Sequence, residues 1–392
     1  MMLGFLLARA GVEVLVLEKH GDFLRDFRGD TIHPSTLEVI YELGLLDRFL
    51  KLPHSEIREV GAQVGKDFVT FGDFTHLATH CKFLAFMPQW DFLNFLAGEG
   101  RRYSTFRIAM NAEVVDLIVS DGHVRGVTVK TAEGISEIKS SLVVGADGRH
   151  SVVRQRAGLP VEDLGAPIDV LWFRLSKRAD DPTGQVLGRV ALGRAMVMLD
   201  RSEYWQCGFV ILKGGIDDEK RAGLDAFRDQ VAALAPFVAD RVTELSDWNH
   251  IKLLTVAVDR LRRWYRPGLL CIGDAAHAMS PVGGVGINLA IQDAVAAANN
   301  LAEPLLDGRV TEQELASTER RRRFPTRATQ AMQVRIQQGA LGFVLGNPNV
   351  SLPWPLRAFN RWPILRRLPA RVVGLGFRPE HVRTPDILSN VK

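Results

Sequence analysis

Cysteine is nearly missing from this chain of 392 residues: Cys81, Cys207 and Cys271 are odd in number, far apart and set in apolar or strand-like contexts. That pattern excludes a disulfide framework and points to a reducing compartment, the cytoplasm. No C-x-x-C pair occurs, which argues against a zinc site, and no protein-bound metal is expected. Long hydrophobic runs are missing too; none reaches the ~18 to 20 residues that cross a bilayer. Charge is almost balanced, at a formal +4, too slight to imply nucleic acid, and no zinc finger or RNA-binding signature is present. Internal repeats and long linkers are also absent. What remains is 46% hydrophobic and 24% charged, the composition of a soluble globular enzyme, and the length suits two interlocked domains.

The most informative stretch runs from Gly273 to Ala294, GDAAHAMSPVGGVGINLAIQDA. It follows Leu269-Leu270-Cys271-Ile272, an apolar run that reads as a buried strand. Asp274 therefore stands at a strand's carboxyl end, where open α/β sheets bind ligands. Gly283, Gly284 and Gly286 let the following loop run close to another molecule. From Ile287 the apolar spacing becomes helical, and a helix start offers free N–H groups to an atom that becomes negative. A carboxylate for a ribityl or ribose hydroxyl beside such a helix start suits a flavin.

This window resembles the second FAD fingerprint of the class A flavoprotein aromatic hydroxylases, the para-hydroxybenzoate hydroxylase superfamily. Three further segments agree with the family in order. Val143 to Arg154, VVGADGRHSVVR, is similar to its Asp-Gly motif; Arg28 matches the arginine after its second strand; Gln89, in MPQWDFL, matches a glutamine that contacts the flavin. The likeness spans roughly residues 3 to 310 and specifies no substrate. It implies an α/β fold with a Rossmann-like FAD-binding domain, made of a parallel sheet plus a three-stranded meander, a β-sheet substrate domain and a helical C-terminal tail. By this likeness the cofactor-binding residues are Glu18, Arg28, Gln89, Asp147, Asp274, Pro281, Gly286, Ile287 and Asn288, with Arg154 as a supporting residue. The implied chemistry is that of a monooxygenase: NADH or NADPH reduces FAD, O2 is activated, and an aromatic or other electron-rich small molecule is hydroxylated. No catalytic base is named; Pro281 and His277 are the candidates, and His277 can equally be a hydrogen-bonded support. A flavin-dependent reductase on the same fold and a cofactor-poor remnant stay open as alternatives.

The remnant reading arises because the family's opening strand and G-x-G-x-x-G phosphate loop are not found. Residues 1 to 11 resemble the rest of the first helix, so the chain is expected to start just after that loop, to hold FAD poorly as written, and to recover it when extended upstream. A signal peptide is the rival reading of this segment, disfavoured by the strand Val12 to Leu17 that follows at once. Glu18 closes that strand, where the fingerprint's acid takes the ribose.

Residues 12–19, 106–119, 123–131 and 138–146 read as strands, with turns at Ser120-Asp121-Gly122 and Ala132-Glu133-Gly134. From Asp169 to Val256 the texture is strand-rich, interrupted by a helix over Leu224 to Leu234. The FAD-binding domain is assigned residues 1–55, 85–168 and 257–310, the substrate domain 56–84 and 169–256, and the C-terminal helical region 311–392. Arg174, Arg194 and Tyr204 can face either the cavity or solvent. Arg320 to Arg323 read as a solvated helix face or an anion patch. The tail from Leu352 to Arg383 interleaves aromatics and arginines between prolines; it reads as a wrap on the flavin domain or as a peripheral membrane contact.

Overall fold

The computed structural model describes residues 1–24, 31–182, 186–191, 193–201, 203–344 and 354–389. The opening helix Met2–Arg9 is apolar all round and almost wholly buried, as a helix inside a core must be. It packs on the helix Gly286–Leu306 and on the strand Val14–Leu17. Gly4 permits that approach, since a Cβ there would lie 2.8 Å from Val16 Cγ2. Val14–Leu17 pairs in parallel with Phe106–Ala109, and Val143–Gly145 pairs in parallel with Leu269–Cys271. Among the described residues no ladder joins the two pairs.

Two expected strands are each divided. Residues 106–119 break at Asn111, whose φ of 55° lies in the left-handed region and interrupts extended backbone. The first part joins the parallel pair; the second, Glu113–Ser120, opens a meander with His123–Thr131 and Gly134–Lys139. Residues 138–146 likewise stop at Lys139 and resume at Val143. The first meander turn, Asp121-Gly122, has both φ values positive, the geometry that matches the twist of a hairpin.

A seven-stranded sheet forms the second layer, ordered Lys252–Leu254, Ile168–Ser176, Tyr204–Leu212, Arg194–Asp200, Val186–Ala191, Glu59–Val64 and Asp67–Asp73. Glu59–Val64 thus pairs with Val186–Ala191, a strand more than a hundred positions away. Successive side chains alternate between the sheet's faces. Leu171, Phe173, Leu175, Met196, Met198, Trp205 and Phe209 go to one face, covered by the helix Leu224–Leu234 through Phe227 and Val231. Val170, Trp172, Val197 and Leu199 go to the other, against Ile57, Phe74 and Phe86. Gly208 lies opposite both Trp172 and Val197. A Cβ at that position would meet each at 3.0 Å, so only glycine lets the indole cross the sheet.

The tail is helical at Glu312–Val344, Trp354–Arg361 and Arg367–Leu375. Glu312–Val344 packs on the helix Gly286–Leu306, whereas Trp354–Arg361 and Arg367–Leu375 lie against the edge strand Asp67–Asp73. The tail's last residues return to the opening helix, where Arg9 donates to the Thr384 carbonyl at 2.7 Å. Arg320 to Arg323 are not a uniformly solvated face, because Arg322 is buried and ion-paired. No helix among the described residues is long and apolar enough to cross a membrane.

Candidate active site

Backbone geometry makes the site. Gly273, with φ 58°, turns the chain out of the strand Leu269–Cys271 into a short 3-10 turn that carries Asp274. Asp274 is half-buried. Its Oδ1 lies 4.0 Å from the position a Cβ would take on Gly286, and Arg149 Nη2 is 3.9 Å from its Oδ2. The carboxylate and the helix start, twelve residues apart, therefore face one another. Gly283 and Gly284 have φ of 81° and 62°, values that favour glycine. Leu289 N–H, donating to the Val285 carbonyl, is the first paired donor of the helix Gly286–Leu306. The N–H groups of Gly286, Ile287 and Asn288 precede it and have no acceptor within the helix. The Pro281 carbonyl is engaged locally, accepting Gly284 N–H at 3.0 Å.

Asn288 spends its side chain on architecture. Its Oδ1 accepts from His33 N–H at 2.8 Å and Thr36 Oγ1 at 2.7 Å, while Nδ2 donates to the Thr31 carbonyl at 3.0 Å. Only its backbone N–H remains for a ligand. His33 is fully buried; Nδ1–H donates to the Val373 carbonyl at 2.7 Å and Nε2 has no hydrogen-bond partner. Burial pulls its imidazole down to about 4, with nearby backbone carbonyls opposing, so the ring is neutral near pH 7.

His277 is buried. Its Nε2–H donates to Asp293 Oδ2 at 2.6 Å, and its ring leans on Trp264. Asp293 also accepts Gly273 N–H at 3.1 Å and Arg322 Nε at 2.9 Å; Arg322 Nη1 reaches Glu380 Oε1 at 3.2 Å. Burial pushes the Asp293 carboxyl up, but His277 and Arg322 hold it below the usual range. The turn bearing Asp274 is thus fastened to its helix, to the long helix and to the tail. His277 ties this turn to Asp293, and its Nδ1 is buried with no hydrogen-bond partner.

Asp147 and Arg154 fasten the neighbouring loop. Asp147 accepts from Ser151 Oγ and from Val153 N–H at 3.1 Å, and Ser151 caps the helix Val152–Arg156. Arg154 makes a bidentate pair with Asp259, both contacts at 3.1 Å, and Asp259 in turn accepts Ala278 N–H. Glu18 ends the strand Val14–Leu17 and accepts His20 N–H at 3.0 Å. Beyond it a cleft of about 220 Å³, lined by Gly21, Asp22, Phe23, Trp90, Asn94 and Met110 among others, opens beside the carboxyl ends of Val14–Leu17 and Phe106–Ala109. Gln89 is the first residue of the helix Gln89–Gly100 and is half-buried. Arg28 lies outside the described residues.

The glutamines of the long helix escaped sequence reasoning. Gln333 Nε2 donates to the carbonyls of Ser280 and Val282 at 2.9 and 2.8 Å, and its Oε1 accepts Ser280 N–H. Gln330 donates to the Asp259 and Ala278 carbonyls, and Gln337 to Ser280 Oγ. Spaced three and four residues apart, they form one polar face that clamps the proline loop from behind. The only signal was their helical spacing in QAMQVRIQQ. Of the sheet residues left open, Arg174 is exposed and stacks on Tyr204 at 4.9 Å, while Arg194 pairs with Glu219 at 3.1 Å. Arg201 lies over the Phe86 ring at 5.5 Å. One histidine pair does have i, i+4 spacing, but His76 turns to Asp73 and His80 to Glu38.

A carboxylate opposite three helix-start donors, behind a left-handed glycine turn, fits the ribityl and pyrimidine half of a flavin. It offers an acceptor for hydroxyls and donors where negative charge develops. Residues 1–333 match a protein family described as FAD binding domain. 6-Methylpretetramide 4-monooxygenase of Streptomyces rimosus is 29% identical over 373 residues, covering 94% of this chain and 88% of that protein. Rifampicin monooxygenase of Streptomyces venezuelae is 28% identical over 299 residues, covering 72% of this chain and 58% of the relative. Among solved structures, PqsL, a probable FAD-dependent monooxygenase from Pseudomonas aeruginosa, superposes with a TM-score of 0.74 at 19% identity, covering 87% of this chain and 93% of its own. The anhydrotetracycline hydroxylase OxyS from Streptomyces rimosus gives 0.72 at 21% identity, covering 95% and 73%. These two likenesses establish the fold.

Proposed function

This chain belongs to the FAD binding domain family and is a FAD-dependent monooxygenase; we propose that it hydroxylates an electron-rich, aromatic small molecule held between the glycine loop and the inner face of the seven-stranded sheet. The observation that carries this reading is the convergence of Asp274 with the unpaired N–H groups of Gly286, Ile287 and Asn288. Bound there, FAD reduced by NADH or NADPH supplies oxygen activation and transfer. The protein's part is to bind, orient and shield. Asp274 accepts a ribityl hydroxyl, and Glu18 a ribose hydroxyl. The helix start holds the pyrimidine edge and stabilises negative charge there, an electrostatic contribution already oriented before reaction. Gln89 would contact the flavin and Pro281 would set the loop beside its ring, and Arg28 is assigned to the cofactor by the resemblance alone. Asp147 and Arg154 brace that loop from the next layer. Val170, Trp172, Val197 and Leu199 form an apolar wall that excludes water from the reacting atoms.

On this reading residues 1–55, 85–168 and 257–310 form the FAD-binding domain, 56–84 and 169–256 the substrate domain, and 311–392 the tail. Three buried free cysteines support a cytoplasmic location. The test is to load the purified chain with FAD, supply NADPH or NADH, and screen phenolic polyketide-type and simple phenols under ¹⁸O₂. Incorporation of one labelled atom into product is expected. Saturation of a substrate double bond without label would replace the reading by a reductase.

A further inference from the structure

We propose that residues 357–371 form a docking surface for an anionic lipid bilayer. Between Glu319 and Glu380 the sequence contains no acidic residue. Within that span the turn Pro363–Arg366 and its flanks expose four large apolar side chains in seven residues: Trp362 at 58%, Ile364 at 65%, Leu365 at 41% and Leu368 at 69%. Arg357, Arg361, Arg367 and Arg371 are exposed around them. The knob is held from below. Asn360 Nδ2 donates to the Phe68 carbonyl at 2.7 Å, Arg366 Nε donates to Phe359 O at 2.9 Å, and Ala370 and Gly374 are buried over Phe74 and Leu77. The exposed residues are therefore the outward side of a segment whose other side is already packed.

Charge complementarity selects the occupant. A second copy meeting this surface across a two-fold axis would set arginines against arginines with no acid in the segment to pair them. An anionic bilayer satisfies both components: the apolar side chains enter the interface and the guanidinium groups stay among the phosphates. Val373, one turn beyond Ala370, belongs to the same apolar cluster as Trp172 and Leu199. Docking at the knob would bring the inner face of the sheet, and any apolar substrate entering there, next to lipid.

The test uses the full chain with phosphatidylcholine vesicles and with vesicles containing about one third phosphatidylglycerol, compared by co-sedimentation at low and physiological salt. Binding to the anionic vesicles is expected to exceed binding to the neutral ones by at least about tenfold and to weaken with salt. A Trp362→Ser/Ile364→Ser/Leu368→Ser variant should lose at least about tenfold in binding, and an Arg361→Gln/Arg367→Gln variant should lose the preference for anionic lipid. Far-ultraviolet circular dichroism and FAD absorbance confirm that each variant is folded. Equal sedimentation with and without vesicles overturns the proposal. So does a dimer that carries no vesicles and that the apolar variant converts to monomer, since the surface would then belong to a second copy.

Discussion

Asp274 sits on a turn that Asp293 ties down through the Gly273 N–H and His277. Replacing Asp274 by alanine removes a charged acceptor for a buried hydroxyl, worth roughly 1.5 to 3 kcal/mol. The FAD dissociation constant of Asp274→Ala should rise at least about tenfold in a titration of apoprotein, with an unchanged circular dichroism spectrum; parental affinity would remove Asp274 from the cofactor site. His33 supplies a pH dependence. Its imidazole titrates at about 4 in the fold against about 6.5 in an unfolded chain, so between these values the unfolded state binds more protons. Stability from the neutral ring is full above about pH 6.5 and is lost as pH falls toward 4, by roughly 3 kcal/mol in all. Thermal midpoints measured from pH 4 to 7 should fall less steeply in His33→Gln than in the parent. Identical slopes would mean that the ring is not buried neutral.

Period-two alternation gives the seven-stranded sheet two faces with different duties, which adjacent residues can separate. Met198 is fully buried against the helix Leu224–Leu234 side, and Val197 points to the inner wall. Met198→Ala should cost about 2 to 5 kcal/mol of stability through the cavity it leaves, with substrate preference unchanged. Val197→Phe should instead alter substrate preference and the coupling of NAD(P)H oxidation to hydroxylation, measured as product formed per NAD(P)H consumed, while flavin content stays constant. If Val197→Phe loses flavin with coupling unchanged, this face does not wall the substrate. The long helix is the second element with a divided role: its glutamine face holds the proline loop, so the loop's position is set by residues about fifty positions downstream.

Across the whole molecule, one buried charge network joins four parts of the chain. Gly273, His277, Asp293, Arg322 and Glu380 come from the flavin turn, its helix, the long helix and the tail, and nearly all are hidden from solvent. Removing Arg322 would take one cation from two buried carboxylates, leaving Asp293 with His277 and the Gly273 N–H and Glu380 with Arg321. Arg322→Met should therefore destabilise the protein by about 3 to 5 kcal/mol, read as a lowered thermal midpoint. Because the same network fixes the Asp274 turn, FAD should also dissociate faster in stopped-flow displacement. A variant with lowered midpoint but parental FAD kinetics would confine the network to holding the tail.

Residue type and short-range geometry alone made the candidate site's local features legible. A carboxylate just past an apolar strand, glycines before an apolar helical spacing, and the order of these segments all follow from residue type and short-range geometry. The meander, the helix Leu224–Leu234 and the helix start at Gly286 were legible for the same reason. Tertiary structure alone decided what depends on partners distant in sequence. The split at Asn111 arose because each half of one apolar run found a different strand to pair with. Arg322 looked like part of a solvated run until Asp293 and Glu380 closed around it, and the side chain of Asn288 proved to be a structural tie because Thr31, His33 and Thr36 reach it from the other end of the chain. His277 could not be divided between support and base from its neighbours in sequence. In the fold its Nε2–H meets the buried carboxylate of Asp293 sixteen residues away, a partner that its neighbours in sequence do not show.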